Sequence, residues 1–456
     1  MNTIKSRIKF LLQSRHAWLW AFLACVLFNF AHKLADHVLG DGDGVVSGHL
    51  RYLVFDLNII LGFGFILVVY FKSKRCTDLT IGKAAWTIIA LVAVSARLWL
   101  SQLGHNFDLE SYEIVADIVL RGESVYGLTE RYNYGPVWAY MLAGIKYASA
   151  LCGYSQQTFH LFIVLILSLA ELLFYRLLHQ KYRNNLMILL LLFNPVSLVI
   201  IGHHSQFDIL ALALAFAATL QLEKKRLINA VLLLGLSYCT KHIMVFFPLF
   251  LMFDKSLSTR YRLILLTVPA ALFAISFLPF YADIAGIQKN VLSYQFNNNQ
   301  TFLKQLFDLV IPGFIIKMGI FKILPVFQGY KFLWLAIFPL IGYIIMKYKA
   351  EERFFIYLLC IVASSLAISE QYFLIPLAAV AFYRKFIFAW LYLAASSYFI
   401  LFVSFNNTSK YFNLRSLGIS ADFEWYQLGF AQVQLCLAGL LTQVLYHAWK
   451  QTRQVL

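Results

Sequence analysis

Asp108 and Glu110 stand directly behind residues 86–103, an apolar stretch long enough to cross a bilayer. Carboxylates at the mouth of a membrane helix are costly to hold near lipid, so the pair marks a candidate site for chemistry at the membrane surface. Tyr112, Tyr134 and Trp138 follow in the same polar and aromatic stretch. Three more polar groups interrupt apolar sequence: His203-His204-Ser205-Gln206-Phe207-Asp208, Lys241-His242, and Ser369-Glu370-Gln371-Tyr372. Each alone has an ordinary structural explanation. A carboxylate at a helix mouth can be an interfacial charge, a His-His pair can be plain loop, and a Lys-His pair can snorkel or pair locally. Their convergence on one face sets them apart.

Other polar residues carry less. Arg97 could bind an anion or pair with a neighbouring acid, Glu171 reads as structural, and His105 reads as a surface residue beside the acidic pair. Asp-x-Glu can hold a hard cation through its oxygens, so a divalent cation stays open. The spacing is not diagnostic, and neither a metal site nor a required cofactor is assigned. The six cysteines show no paired ligand spacing, which argues against a disulfide framework or a zinc site.

The elements that must position these residues are membrane helices. The 456-residue chain is 61% hydrophobic and 13% charged, which fits one polytopic membrane unit better than several soluble domains. Its net charge of +16 does not read as a nucleic-acid footprint, because Lys and Arg fall mostly in short loops between apolar runs, where they set topology. The first apolar run follows a basic start but shows no small-residue cleavage site, so an uncleaved first span is expected.

Walking the positive-inside rule along the chain gives a cytoplasmic N-terminus and spans near 16–33, 52–71, 84–104, 157–178, 184–201 and 209–222. Span three then delivers Asp108 outside. Parity requires 105–155 to begin and end on one face, so 108–121 and 136–150 are expected as helices along the outer surface, the second opened by Pro136. Residues 228–253 lie between two basic loops and are expected as two short or broken helices meeting near 238–242, as tolerated where they line a cavity. Further spans are expected near 263–280, 331–347, 354–369, 372–383, 386–404 and 427–447, with a cytoplasmic C-terminus. The whole is all-α, with about 12 spans. Residues 1–83 are expected to hold two N-terminal spans, 84–300 a transmembrane module with the acidic outer loop 105–155, and 301–456 a C-terminal transmembrane module. Asn299-Gln300-Thr301 and Asn406-Asn407-Thr408 match glycosylation sequons in outer loops.

Phe107-Asp108-Leu109-Glu110-Ser111-Tyr112, then Gly122-Glu123-Ser124-Val125-Tyr126 and Tyr132-Asn133-Tyr134-Gly135-Pro136-Val137-Trp138, resembles the first outer loop of the GPI-anchor mannosyltransferases. Asn194-Pro195 through Asp208 is similar to the His-Phe-Gln-Tyr-Asn region of the dolichyl-phosphate-glucose-dependent glucosyltransferases. Tyr238-Cys239-Thr240-Lys241-His242 with Pro248 resembles their Tyr-Lys-Gln motif, and Glu370-Gln371-Tyr372-Phe373-Leu374 a Gln-Tyr-Phe-Leu element of the mannosyltransferases. The chain thus resembles the GT-C superfamily of polytopic glycosyltransferases. Glu110 replaces the commoner second Asp, and two extra spans precede the acidic loop.

The resemblance implies an inverting transferase that moves a hexose from a polyprenyl-phosphate donor to a hydroxyl of a glycan, glycolipid or other acceptor outside the cytoplasm. Asp108 would be the base and Glu110 its assistant. Lys241, with His242 or the His203/His204 pair, would face the donor phosphate. Tyr112, Tyr134, Trp138, Gln206, Asp208, Glu370, Gln371 and Tyr372 would contact substrate. A bacterial inner membrane is preferred to the endoplasmic reticulum. The competing classes are a lipid-linked-sugar flippase or transporter, whose sites usually sit at the midplane between repeats, and an O-antigen polymerase or ligase.

Overall fold

The computed structural model describes residues 81–293, 330–365, 369–405 and 422–453. The expected spans near 16–33 and 52–71 and both sequons lie outside the described residues. Among the described residues every regular element is helical, as the apolar periods predict.

Helix α1 (Lys83–Leu100) continues through a 3-10 turn, Ser101–Leu103. Ile88, Leu91, Val92 and Trp99 leave one face of it bare, whereas Ala93 and Arg97 are buried. An all-apolar outward face costs nothing against lipid tails, which compete for it as well as another helix would. Helix α2 (Phe107–Leu120) starts where the Asn106 side chain accepts the Asp108 backbone N–H at 3.1 Å. Helix α3 (Pro136–Leu151) begins on a proline, whose missing N–H is unneeded in a first turn. At 14 and 16 residues, α2 and α3 fall short of the roughly 20 a crossing requires, and they pack side by side.

Helix α4 (Gln156–Tyr182) opens on a Ser155–Thr158 capping box and stops at Arg183, which is left-handed. The stretch expected as span five is two helices, α5 (Asn185–Leu192) and α6 (Pro195–Gly202), bent by 47°. The break has a local cause: Pro195 lacks the N–H that would continue α5, and the Asn194 side chain caps Val196 N at 2.9 Å. Helix α7 (Asp208–Glu223) buries Ala211, Ala213, Ala215 and Ala218 and packs closely on α8 (Leu227–Thr240). Small side chains let helix backbones approach where packing, not water exclusion, holds them together. Helix α8 ends at Lys241, whose backbone is extended (φ −151°, ψ 121°); a 3-10 turn, His242–Met244, and a short helix, Phe247–Leu251, follow. The expected break between two short helices is therefore present, at Lys241.

Helix α9 (Thr259–Ile275) bends by 66° into residues Leu278–Leu292. Helices α10 (Tyr330–Ile344), α11 (Ala350–Ala363), α12 (Ile387–Phe405) and α13 (Asp422–Arg453) complete the bundle, with α11 packed on α7 and α13 and α12 packed on α6. Lys181, at the end of α4, bridges Glu223 of α7 and Glu351 of α11 (2.5 and 3.1 Å), tying three helices at one end.

Among the described residues, Lys83–Leu103 and Gln156–Tyr182 are long and apolar enough to cross a membrane. The two bent pairs pass the same test when each is taken as one span, which makes up to four. Several of the remaining expected spans, such as those near 331–347 and 372–383, are apolar helices too short to cross unaided, Trp334–Ile344 and Glu370–Phe382.

Candidate active site

The start of α2 fixes Asp108. Asn106 holds it at both levels, accepting its backbone N–H and donating from Nδ2 to Oδ2 at 3.1 Å. Gln206, in the turn between α6 and α7, donates to the same oxygen at 2.5 Å. Burial pushes the Asp108 carboxyl above the usual carboxylate range; the Lys241 charge and the Gln206 and Asn106 hydrogen bonds pull it back, and Glu370 adds to the rise. A carboxyl so placed is held in one orientation and is a stronger base than one in water.

Glu110 has a different setting. Two residues along a helix lie about 200° apart around its axis, so Asp108 and Glu110 cannot share a side. Glu110 is half-exposed and faces Arg131 at 3.7 Å.

Lys241 is the cation of the site, and it is not idle. Its Nζ pairs with Asp208 Oδ2 at 2.8 Å, with both side chains buried. Rings of Phe207, Tyr134 and Tyr372 surround the ammonium at 4.8, 5.0 and 5.4 Å. Aromatic faces stabilise a desolvated cation, and here they also fix its position. Phe207 in turn stacks on Trp138 (4.3 Å, 13°), and Tyr112 meets both rings edge-on. The sequence reading brings together Asp108, Tyr112, Tyr134, Trp138, Gln206, Asp208, Lys241 and Tyr372, and the structure places them in one cluster.

The backbone on each side of this cluster is closely fitted. A methyl group on Gly135 would collide with the carbonyl of Cys239, so glycine lets the α3 start lie against the end of α8. The Tyr132 hydroxyl donates to Gly135 O at 2.5 Å and accepts from Ala139 N at 2.9 Å, and Tyr126 donates to Tyr134 O at 2.9 Å. Ser205 occupies the left-handed region (φ 57°), a conformation that costs a non-glycine residue about 1 kcal/mol and shapes the turn carrying Gln206.

His203 and His204 close α6 beside the cluster, with ring centroids 5.4 Å apart. Burial holds both imidazoles down to about 4, and for His203 its histidine neighbours add to the fall. The His242 ring lies 6.0 Å from the Phe273 ring of α9. Glu370 and Gln371 open a 3-10 segment, Glu370–Leu374, that packs against α6 and α7.

Five buried polar atoms here have no protein partner: Trp138 Nε1, His204 Nδ1, Ser205 Oγ, Gln206 Oε1 and Asp208 Oδ1. Each such group costs about 1–3 kcal/mol if left unsatisfied, so their concentration at one place makes the cluster a candidate site for water or a polar ligand. Among the described residues no group of three or more His, Cys, Asp or Glu is arranged to hold a metal ion.

Asn106 and Phe207 are central to the cluster and absent from the sequence-based set. Asn106 carries a usable signal, since an Asn two residues before Asp at a helix start is an N-cap pattern. Phe207 carries none that separates it from 41 other phenylalanines.

No protein-family model matches the chain, and no curated protein matches it either.

Proposed function

We propose that the protein is an integral-membrane, inverting glycosyltransferase of GT-C type that moves a hexose from a polyprenyl-phosphate donor to an acceptor hydroxyl outside the cytoplasm. The observation that carries this reading is Asp108: a half-buried carboxylate held by Asn106 and Gln206, with the Lys241 ammonium acting on it. Asp108 takes the proton of the acceptor hydroxyl as its oxygen attacks the anomeric carbon. The bond from that carbon to the phosphate oxygen breaks on the opposite face, and the electron pair leaves with the phosphate. Lys241 and the His203–His204 turn receive the growing negative charge. The unsatisfied atoms of Trp138, Gln206 and Asp208 are available to sugar hydroxyls.

In this reading about 12 spans enclose the site, both termini are cytoplasmic, and the host membrane is a bacterial inner membrane. The test is purified protein incubated with a panel of polyprenyl-phosphate sugars and a hydroxyl acceptor. One donor is expected to be consumed, with a new glycosidic bond of inverted configuration. Movement of intact donor across a vesicle membrane without bond formation would establish a flippase instead.

A further inference from the structure

Beside the Asp108–Lys241 cluster lies a second one, made of histidines. His105 follows the 3-10 turn that ends α1, His160 is in the second turn of α4, and His203 and His204 close α6. The His105 and His160 rings meet edge to face at 6.0 Å, as His203 and His204 meet at 5.4 Å. The pairs adjoin one another. A methyl on Gly104 would stand 3.4 Å from His203 Nε2, and His105 acts electrostatically on both His160 and His203.

His160 is fully buried and His204 nearly so. His105 donates from Nδ1 to the Asn106 carbonyl at 3.0 Å, and His204 Nε2 meets Ser404 Oγ at 2.9 Å. That leaves His204 Nδ1 and the neighbouring Ser205 Oγ, both buried, without a protein partner.

The charges on the surrounding elements are otherwise engaged. Arg97 of α1 is bound to Glu171 of α4. Asp108 of α2 is bound by Asn106 and Gln206, and Lys241 by Asp208. Glu370 lies on the segment packed against α6, and α12 presents the neutral Ser404. Several imidazoles brought together out of water repel one another when charged, and their ring nitrogens need partners. An anion supplies both remedies: it accepts N–H bonds from neutral rings and stabilises a ring that gains a proton. The C-terminal end of α6 favours the protonated form of His203 in the same sense.

We infer that His105, His160, His203 and His204 form the subsite for the phosphate of the lipid-linked donor, and that the phosphate enters with uptake of a proton by this cluster. The inference rests on the transfer reading for the identity of the ligand, and it adds His105 and His160 to the residues that reading uses. In the free protein burial keeps the His203 and His204 imidazoles neutral near pH 7. A phosphate oxygen against them raises their proton affinity, so binding weakens as pH rises, by about tenfold per pH unit for one linked proton.

The test is calorimetric titration of the full chain in phosphatidylcholine nanodiscs with a farnesyl methyl phosphodiester, which keeps one fixed negative charge across the pH range. Run in two buffers of different ionisation heat, the wild type should take up close to one proton per ligand. His105→Asn and His160→Asn should each weaken binding about tenfold or more and remove the uptake, with His105, only half-buried, as the variant that keeps the fold. Equal binding of farnesol, pH-independent binding without proton uptake, or variants that bind like wild type would each overturn the assignment. Displacement by inorganic phosphate at comparable concentration would assign the site to free phosphate and overturn the lipid-linked one. Because binding needs no turnover, these results stand whether or not sugar transfer is found, and the two readings fail separately.

Discussion

Two buried ion pairs can be compared, and they are built to different ends. Arg97 and Glu171 join α1 to α4 at 2.5 Å. Around them Arg97 donates to Ala93 O, Leu192 O and Ser197 Oγ, while Glu171 accepts from Tyr175 and Ser197. Of that pair only Arg97 Nε is left over. Lys241 and Asp208 are as deeply buried, yet Asp208 Oδ1 is unsatisfied, the ammonium is walled by rings, and a carboxylate of raised proton affinity stands next to it. A pair with its hydrogen bonds filled ties helices together. A pair with atoms to spare, beside the Asp108 carboxyl, fits the ligand-binding role proposed for it.

The largest effect should come from separating stability from activity at each pair. Lys241→Met leaves Asp208 buried alone and is expected to cost about 3–5 kcal/mol of stability. Adding Asp208→Leu should restore the melting temperature while transfer stays at least 100-fold down. The parallel double variant Arg97→Leu/Glu171→Leu should melt near wild type and keep normal turnover per folded molecule. Equal loss of turnover in both doubles, measured by melting and transfer assay together, would erase the distinction.

The next effect is on the pH profile. Since burial raises Asp108, the acid limb of kcat/KM should lie above the ordinary carboxylate range. Gln206→Leu removes a hydrogen bond that lowers it and should move the limb to higher pH. Glu370→Gln removes a charge that raises it and should move the limb down. Shifts in the same direction would show that the limb belongs to another group.

Smaller still is the effect of helix fit. Gly135→Ala forces the start of α3 away from the Cys239 carbonyl and so disturbs the ring of Tyr134 over Lys241. About a tenfold fall in turnover is expected, because a displacement near 1 Å can cost up to 100-fold. The smallest effect concerns stability against pH. His203 and His204 are held near 4, below their unfolded value, so their contribution is intact above about pH 6.5 and is lost as pH falls towards 4. Replacing both with Gln should flatten that part of the melting-temperature profile.

Much of this cluster is legible in the sequence because its members are polar where the surroundings are apolar. Asp108, Gln206, Asp208 and Lys241 all stand out that way, and the sequence also anticipates that 105–155 holds two short helices and that the chain breaks near Lys241. The pairing itself is not legible. Asp208 and Lys241 are 33 residues apart, and nothing in the sequence assigns the lysine to that acid and not to a ligand. The same holds for Arg97 with Glu171, where either partner or anion fitted. Glu110 was the reverse case: its sequence proximity to Asp108 suggested shared work, whereas helical geometry sends it to Arg131. Phe207 is hidden by composition, since one more phenylalanine in an apolar chain carries no signal until its ring is seen against Trp138 and Lys241.

The central claim is that the Asp108 carboxylate takes the acceptor proton. Asp108→Asn keeps the size of the side chain and a hydrogen-bonding oxygen for Asn106 and Gln206, but it removes the base. The decisive measurement is transfer from the lipid-linked donor by folded Asp108→Asn protein, with donor binding measured alongside. Turnover at least 1000-fold below wild type, on the scale of a lost general base, with donor affinity retained is the predicted result. Near wild-type turnover by the variant would contradict the account.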